Sequence, residues 1–146
     1  LPQYEFCVAL KISHPNIKAQ VITNRLDLEP TSSHDVGDIR VTPKGRVLEG
    51  VYGDTYWSLD LCDNRRIDAE DIQFEEFIEQ QNKKLAVNRE FFDEIRKSGG
   101  VIEYFVGWFS SGSINMNIFL EPKLMKSTAD LNISIVLCAS PDSEET

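Results

Sequence analysis

The sequence predicts an α+β domain: an antiparallel or mixed β-sheet with helices mainly on one face. Three observations carry this. Phe6, Val8, Leu10 and Ile12 alternate with more polar neighbours, the period of two that a half-buried strand requires. Ile17, Val21, Ile22 and Leu26 recur instead at helical spacing. The elements then follow one another as strand, helix, hairpin, helix and strand, which gives the first half a ferredoxin-like order. The 146 residues are read as a single α+β domain over 1–140, followed by an acidic, disordered tail at 141–146. A chain of this length buries roughly 70% of its unfolded surface, enough to fold without disulfides or a metal.

The first strand is expected over Tyr4 to Ile12, ended by Ser13-His14-Pro15. Pro15 cannot donate to a ladder but suits the first turn of a helix. That helix is expected over Pro15 to Arg25, with Ser13 as its capping residue and His14 on the approach. It must stop before Pro30, because the residue preceding a proline is pushed out of the α region. Thr31 to Val47 is polar and rich in turn formers, with Ile39-Arg40-Val41 as a short edge strand. Connections this long are often functional. Arg46 to Leu61 reads as a hairpin turning at Gly53-Asp54, with Trp57 as a core anchor.

A long helical region is expected from Asp68, with Ile72, Phe74, Phe77, Ile78 and Leu85 inward. Its first half is acidic: Asp68, Glu70, Asp71, Glu75, Glu76 and Glu79. Like charges at i,i+4 are mildly unfavourable, and the helix dipole offsets this only in the first turn. A break at Ala86-Val87-Asn88 leads to a second helix with Phe91, Phe92 and Ile95 inward, closed by Gly99-Gly100. Val101 to Phe109 is apolar on both faces apart from Glu103 and reads as a central strand. Ser110-Ser-Gly-Ser113 then turns the chain into a strand over Ile114 to Leu120. Pro122 starts a short helix with Leu124 and Met125 buried, and Leu131 to Cys138 is the last strand, with Ile133, Ile135 and Leu137 on one face.

The net charge of −9 argues against a nucleic-acid partner, since phosphates select basic patches. It fits plain solubility, or steering of a basic protein partner. Cys7, Cys62 and Cys138 form no CxxC pair and read as small buried hydrophobes in a reducing, cytoplasmic setting. No apolar run reaches the length of a membrane span, so no membrane contact is expected. His34, Asp35 and Asp38 are the sole clustering of histidine with carboxylates, and no converging ligands accompany them, so no metal or cofactor is expected. Asp35 and Asp38 also suit turns that bond their own backbone. The serine-rich turn lacks the lysine of a phosphate loop, and no nucleophile elbow occurs. Phe105, Trp108 and Phe109 are core residues, or a binding platform if the sheet face opposite the helices is exposed.

Several short runs carry a resemblance when taken in order. These are Phe6-Cys-Val-Ala-Leu-Lys-Ile12, Ile22-Thr-Asn-Arg-Leu-Asp-Leu-Glu-Pro-Thr31, Gly37-Asp38, Trp57-Ser58-Leu59, Gly99-Gly100 and Glu121-Pro-Lys-Leu124. With them, from about residue 4 to 138, the chain resembles a bacterial family catalogued as domain of unknown function forty-two seventy-nine. It departs in a longer insertion between Gly37-Asp38 and Trp57. The resemblance implies no reaction, cofactor or catalytic residue. Small acidic bacterial domains of this kind are similar to proteins that neutralise secreted toxins.

The leading expectation is therefore a non-enzymatic protein-binding domain, of the kind an immunity-type inhibitor of a basic toxin would be. Glu75, Glu76 and Glu79 would steer the partner, and Tyr52, Tyr56 or Trp108 would anchor it where exposed. The alternative is a small-molecule-binding or catalytic domain using the 31–47 loop, with His34, Asp35 and Asp38 as its polar groups. A self-associating homo-oligomer is the third reading.

Overall fold

A computed structural model of the chain describes residues 3–111 and 117–141. Two long antiparallel strands, β1 (Gln3–His14) and β7 (Val101–Ser111), form the centre of a mixed six-stranded sheet. Both alternate strictly. Phe6, Val8, Leu10 and Ile12 of β1 face the same side as Ile102, Tyr104, Val106 and Trp108 of β7, and all eight are buried. This side is covered by α1 (Ala19–Leu26), α2 (Phe74–Leu85), α3 (Arg89–Lys97) and α4 (Pro122–Asp130). The opposite side of the sheet is only half buried, and no helix of the described residues covers it.

The edges follow from register. On one flank β5 (Thr55–Asp60) lies antiparallel to the second half of β1, and β2 (Ser32–His34) adds outside it. The first half of β1 pairs with the two-residue β6 (Ile67–Asp68). On the other flank β8 (Ile133–Pro141) runs parallel to β7, reached through α4. The sheet order is β2-β5-β1-β7-β8. A separate ribbon of β3 (Ile39–Val41) and β4 (Val47–Val51) stands apart from it, turned at Gly45, whose φ of +87° a residue with a side chain rarely adopts.

Several local expectations change. The hairpin expected over Arg46 to Leu61 does not form: β4 pairs with β3, while β5 pairs with β1 and β2. Helix α1 starts at Ala19 rather than Pro15, because Ser13 and His14 prolong β1 and the Ala19 N–H bonds the Asp35 carboxylate (2.7 Å). Its inward face is Ala19, Ile22, Thr23 and Leu26, which leaves Val21 44% exposed. Asp68, Glu70 and Asp71 precede α2, since Asp68 joins β6 and its carboxylate accepts the Glu70 N–H (2.9 Å). Of the like-charge i,i+4 pairs Asp71–Glu75 and Glu75–Glu79, the second alone therefore lies within α2.

Residues 117–120 are irregular rather than a strand, and the rest of that expected turn and strand, 112–116, lies outside the described residues, as does 142–146 of the expected tail. Met125 and Leu137 are exposed. Trp57 is fully buried, and its indole N–H bonds Thr23 Oγ1 (3.0 Å), tying α1 to β5. Phe91, Phe92 and Ile95 of α3 are buried, and Gly99 follows that helix at a φ of +98°. Among the described residues, no helix is long and apolar enough to cross a membrane.

Candidate functional site

The residues singled out by sequence separate into three places. Helix α2 presents Glu75, Glu76 and Glu79 along one flank of a groove whose other flank is α4 and the segment before it. The groove has a volume of about 640 Å³. Its carboxylates are those three together with Glu121 and Asp130, set against the cations Lys83, Arg89 and Lys123. Leu124 and Leu131 give it an apolar lining, and Phe119 stands at it with 70% of its surface exposed. Exposed large aromatics beside a concave polar surface are the usual anchors of protein interfaces.

The groove is built on a buried polar network. The Tyr104 hydroxyl on β7 donates to Asn82 Oδ1 (2.8 Å), and the Asn82 amide donates to Ser127 Oγ (3.0 Å) and Thr128 Oγ1 (2.9 Å). The Ser127 and Thr128 hydroxyls in turn donate to Leu124 O. Each polar atom of Asn82 is satisfied, so α2, α4 and the sheet are held in one register. Burial pushes the Tyr104 phenol well above its ordinary range, leaving it neutral and a donor.

The glutamates differ in how far they are committed. Glu75 Oε1 accepts the Phe119 N–H (3.2 Å), which draws the 117–121 segment against α2. Glu79 pairs with Lys83 at 3.5 Å, an exposed pair of little energetic weight. Glu76 is exposed and makes no such pair among the described residues.

The second place is the loop after α1. His34 stacks on Tyr52, with ring centroids 3.5 Å apart and planes 10° from parallel, and Tyr56 lies 5.5 Å from His34. Three of the nominated residues therefore meet at the uncovered side of the sheet. Asp35 and Asp38 serve the backbone: Asp35 Oδ1 takes the Ala19 N–H, and Asp38 Oδ2 takes the Asp35 N–H (3.0 Å). These are helix-capping and turn roles.

Trp108 is the third place. It is 3% exposed, between Tyr4, Phe6 and Phe74 on the helix side, and cannot anchor a partner. Strand alternation turns it away from Phe105 and Phe109, which face the uncovered side. Among the described residues, no group of three or more His, Cys, Asp or Glu side chains is placed to hold a metal ion. Of the thiols, Cys62 is buried and Cys138 exposed.

Sequence reasoning missed Phe119, Glu121 and Asp130 as partners of the α2 glutamates. They approach α2 only through tertiary packing of α4, and the one local hint was Pro122 starting a helix directly after Glu121. No curated protein and no solved structure matches the chain. The family profile described as "Domain of unknown function (DUF4279)" matches residues 2–141, nearly the whole sequence, and the chain belongs to that family.

Proposed function

We propose that this chain is a non-enzymatic protein-binding domain that takes a basic protein partner in the groove between α2 and α4, as an immunity-type inhibitor takes a basic toxin. The observation that carries the reading is the meeting of five carboxylates, Glu75, Glu76, Glu79, Glu121 and Asp130, around an apolar-lined groove beside exposed Phe119. Such a surface suits lysine or arginine side chains of a partner, with the aromatic ring as the anchor. The net charge of −9 adds long-range attraction, which acts chiefly on the association rate. The alternative, chemistry in the 31–47 loop, is weaker because Asp35 and Asp38 already accept backbone N–H bonds.

The test pairs a pull-down from the native host with titration of a lysine-rich peptide. Expected are capture of a basic protein, weaker binding as salt rises, and at least a tenfold loss in a Glu76→Lys, Glu79→Lys variant that still folds. Salt-independent binding, or an unchanged affinity in that variant, would overturn the reading.

A further inference from the structure

The side of the sheet opposite the described helices carries a groove whose lining is more basic than the chain as a whole. Here Cys7 and Ala9 of β1, Gly107 of β7 and Cys138 of β8 form a low floor, with Cys7, Gly107 and Cys138 level across three strands. A Cβ at Gly107 would meet Cys7 Sγ at 3.0 Å and the Phe109 ring at 3.2 Å, so the glycine lets these groups close over a flat surface. The Lys11 ammonium lies 3.9 Å over the Phe105 ring centroid and 5.8 Å from that of Tyr56. At the other end the Arg66 guanidinium lies 3.7 Å over Phe109. The groove between has a volume of about 510 Å³, and the 60–66 turn forms its wall.

Among the described residues, the charges lining this groove are Lys11, Arg65 and Arg66 against one carboxylate, Asp60. Asp60 is occupied: Oδ1 accepts the Cys62 N–H (2.9 Å) and Oδ2 the Asn64 N–H. Arg66 reaches Glu5 at 3.8 Å, whereas no carboxylate of the described residues lies within ion-pair distance of Lys11. An aromatic face holds an ammonium in place without neutralising it, and strips water from one side. On a chain of net charge −9, three cations, two of which (Lys11 and Arg66) lie over half-buried aromatics, set against one lining carboxylate make a local anion site. Glu103 lies on the same side across from Lys11 but beyond ion-pair distance.

We infer that this groove binds a small, flat carboxylate. The apolar body would lie on the Cys7, Ala9 and Gly107 floor against Phe105 and Phe109, and the carboxylate would take the Lys11 ammonium. Bulky branched acids fit a sheet surface poorly, and a neutral analogue would forfeit the charged contact. This site lies across the sheet from the α2–α4 groove and does not depend on the reading given for that groove.

The experiment titrates the full chain with naphthalene-2-carboxylate and, separately, with neutral naphthalene-2-carboxamide, followed by amide chemical shifts. Expected are saturable shifts at Phe105 and Gly107, at least tenfold weaker binding of the amide, and at least tenfold weaker binding of the carboxylate to Lys11→Met. In the wild-type chain, which needs no variant to fold, the carboxylate should slow alkylation of exposed Cys138 in the groove, and the amide at equal concentration should not. Equal affinity for both compounds, equal affinity in Lys11→Met, or undiminished Cys138 alkylation at millimolar carboxylate would each overturn the inference.

Discussion

His14 is 2% exposed and joins three elements through both ring nitrogens. Nδ1 accepts the N–H groups of Asn16 and Ile17, each at 2.9 Å, and so shapes the turn before α1. Nε2 lies 2.7 Å from Ser98 Oγ at the end of α3, and Ser98 in turn donates to Glu94 O. Two donors at Nδ1 require the neutral ring protonated on Nε2. His14→Ala removes both acceptor bonds; water reaches part of that turn, so about 1 kcal/mol each is a fair figure. Loss of the Ser98 bond and of ring packing brings the total to about 3 kcal/mol. For a domain of this size that is a fall in melting temperature of roughly 9 °C.

Titration gives a sharper check on the same residue. Desolvation lowers the His14 pKa below 6.5, with Asp54 pulling weakly the other way. A proton therefore binds the unfolded chain more readily than the folded one. The His14 contribution is complete above pH 6.5 and is lost as pH falls below it, until the lowered folded value is passed. Its slope has an upper limit of about 1.4 kcal/mol per pH unit, the value for one whole proton. The assay is urea unfolding between pH 5 and 8, followed by fluorescence of the buried Trp57 and Trp108, for wild type and His14→Gln. The advantage of wild type over His14→Gln should shrink as the solution is acidified. A constant advantage, or one that grows with acid, would refute the assigned tautomer and burial.

Asn82→Leu should cost about 2–4 kcal/mol in urea unfolding, because it strands the buried Tyr104 hydroxyl and unties α4 from α2. Gly100→Ala should lose about 2 kcal/mol or more in thermal unfolding, since the new Cβ would lie 2.5 Å from Ile95 Cγ2 and 2.9 Å from both Ile95 O and His14 Cδ2. Burial pushes the Cys62 thiol up to about 11, so mass spectrometry after iodoacetamide at pH 8 should find Cys138 modified and Cys62 modified only in urea.

The legible parts of the fold were those where one element's own periodicity decides its burial. β1 alternates so strictly that its inner face, Phe6, Val8, Leu10 and Ile12, could be named residue by residue, and Phe91, Phe92 and Ile95 of α3 likewise, whereas β7 is apolar on both faces and reads only as a central strand. What escaped was pairing between distant segments. Val47 to Val51 is a strand, yet it pairs with β3 in the ribbon and leaves Val47 and Val51 exposed, and nothing local tells which neighbour a strand will choose. The start of α1 escaped because its capping carboxylate, Asp35, comes from 16 residues further along. The glutamates of the candidate site were visible as a cluster on one helix, while the groove that gives them a shape needed α4. Grouping Phe105, Trp108 and Phe109 together overlooked the alternation that sends Trp108 to the core.

The two candidate surfaces raise a question of electrostatics that their separation answers. A sheet with one helix layer sets its outer surfaces about 15–20 Å apart. The Debye length is about 8 Å at physiological ionic strength, so a ligand in either groove feels its own lining far more than the opposite one. An anion site around Lys11 and Arg66 can therefore coexist with a net charge of −9, even though the long-range field slows the approach of anions. At about 10 mM salt the Debye length grows to about 30 Å, and the surfaces come within one screening length. Occupying the acidic groove with a basic peptide should then strengthen carboxylate binding across the sheet, and the gain should vanish when physiological salt is restored. A gain that persists at physiological salt would instead require a mechanical link, and β7 supplies the natural route, because Tyr104 holds the α2–α4 network on one side and Phe105 carries Lys11 on the other.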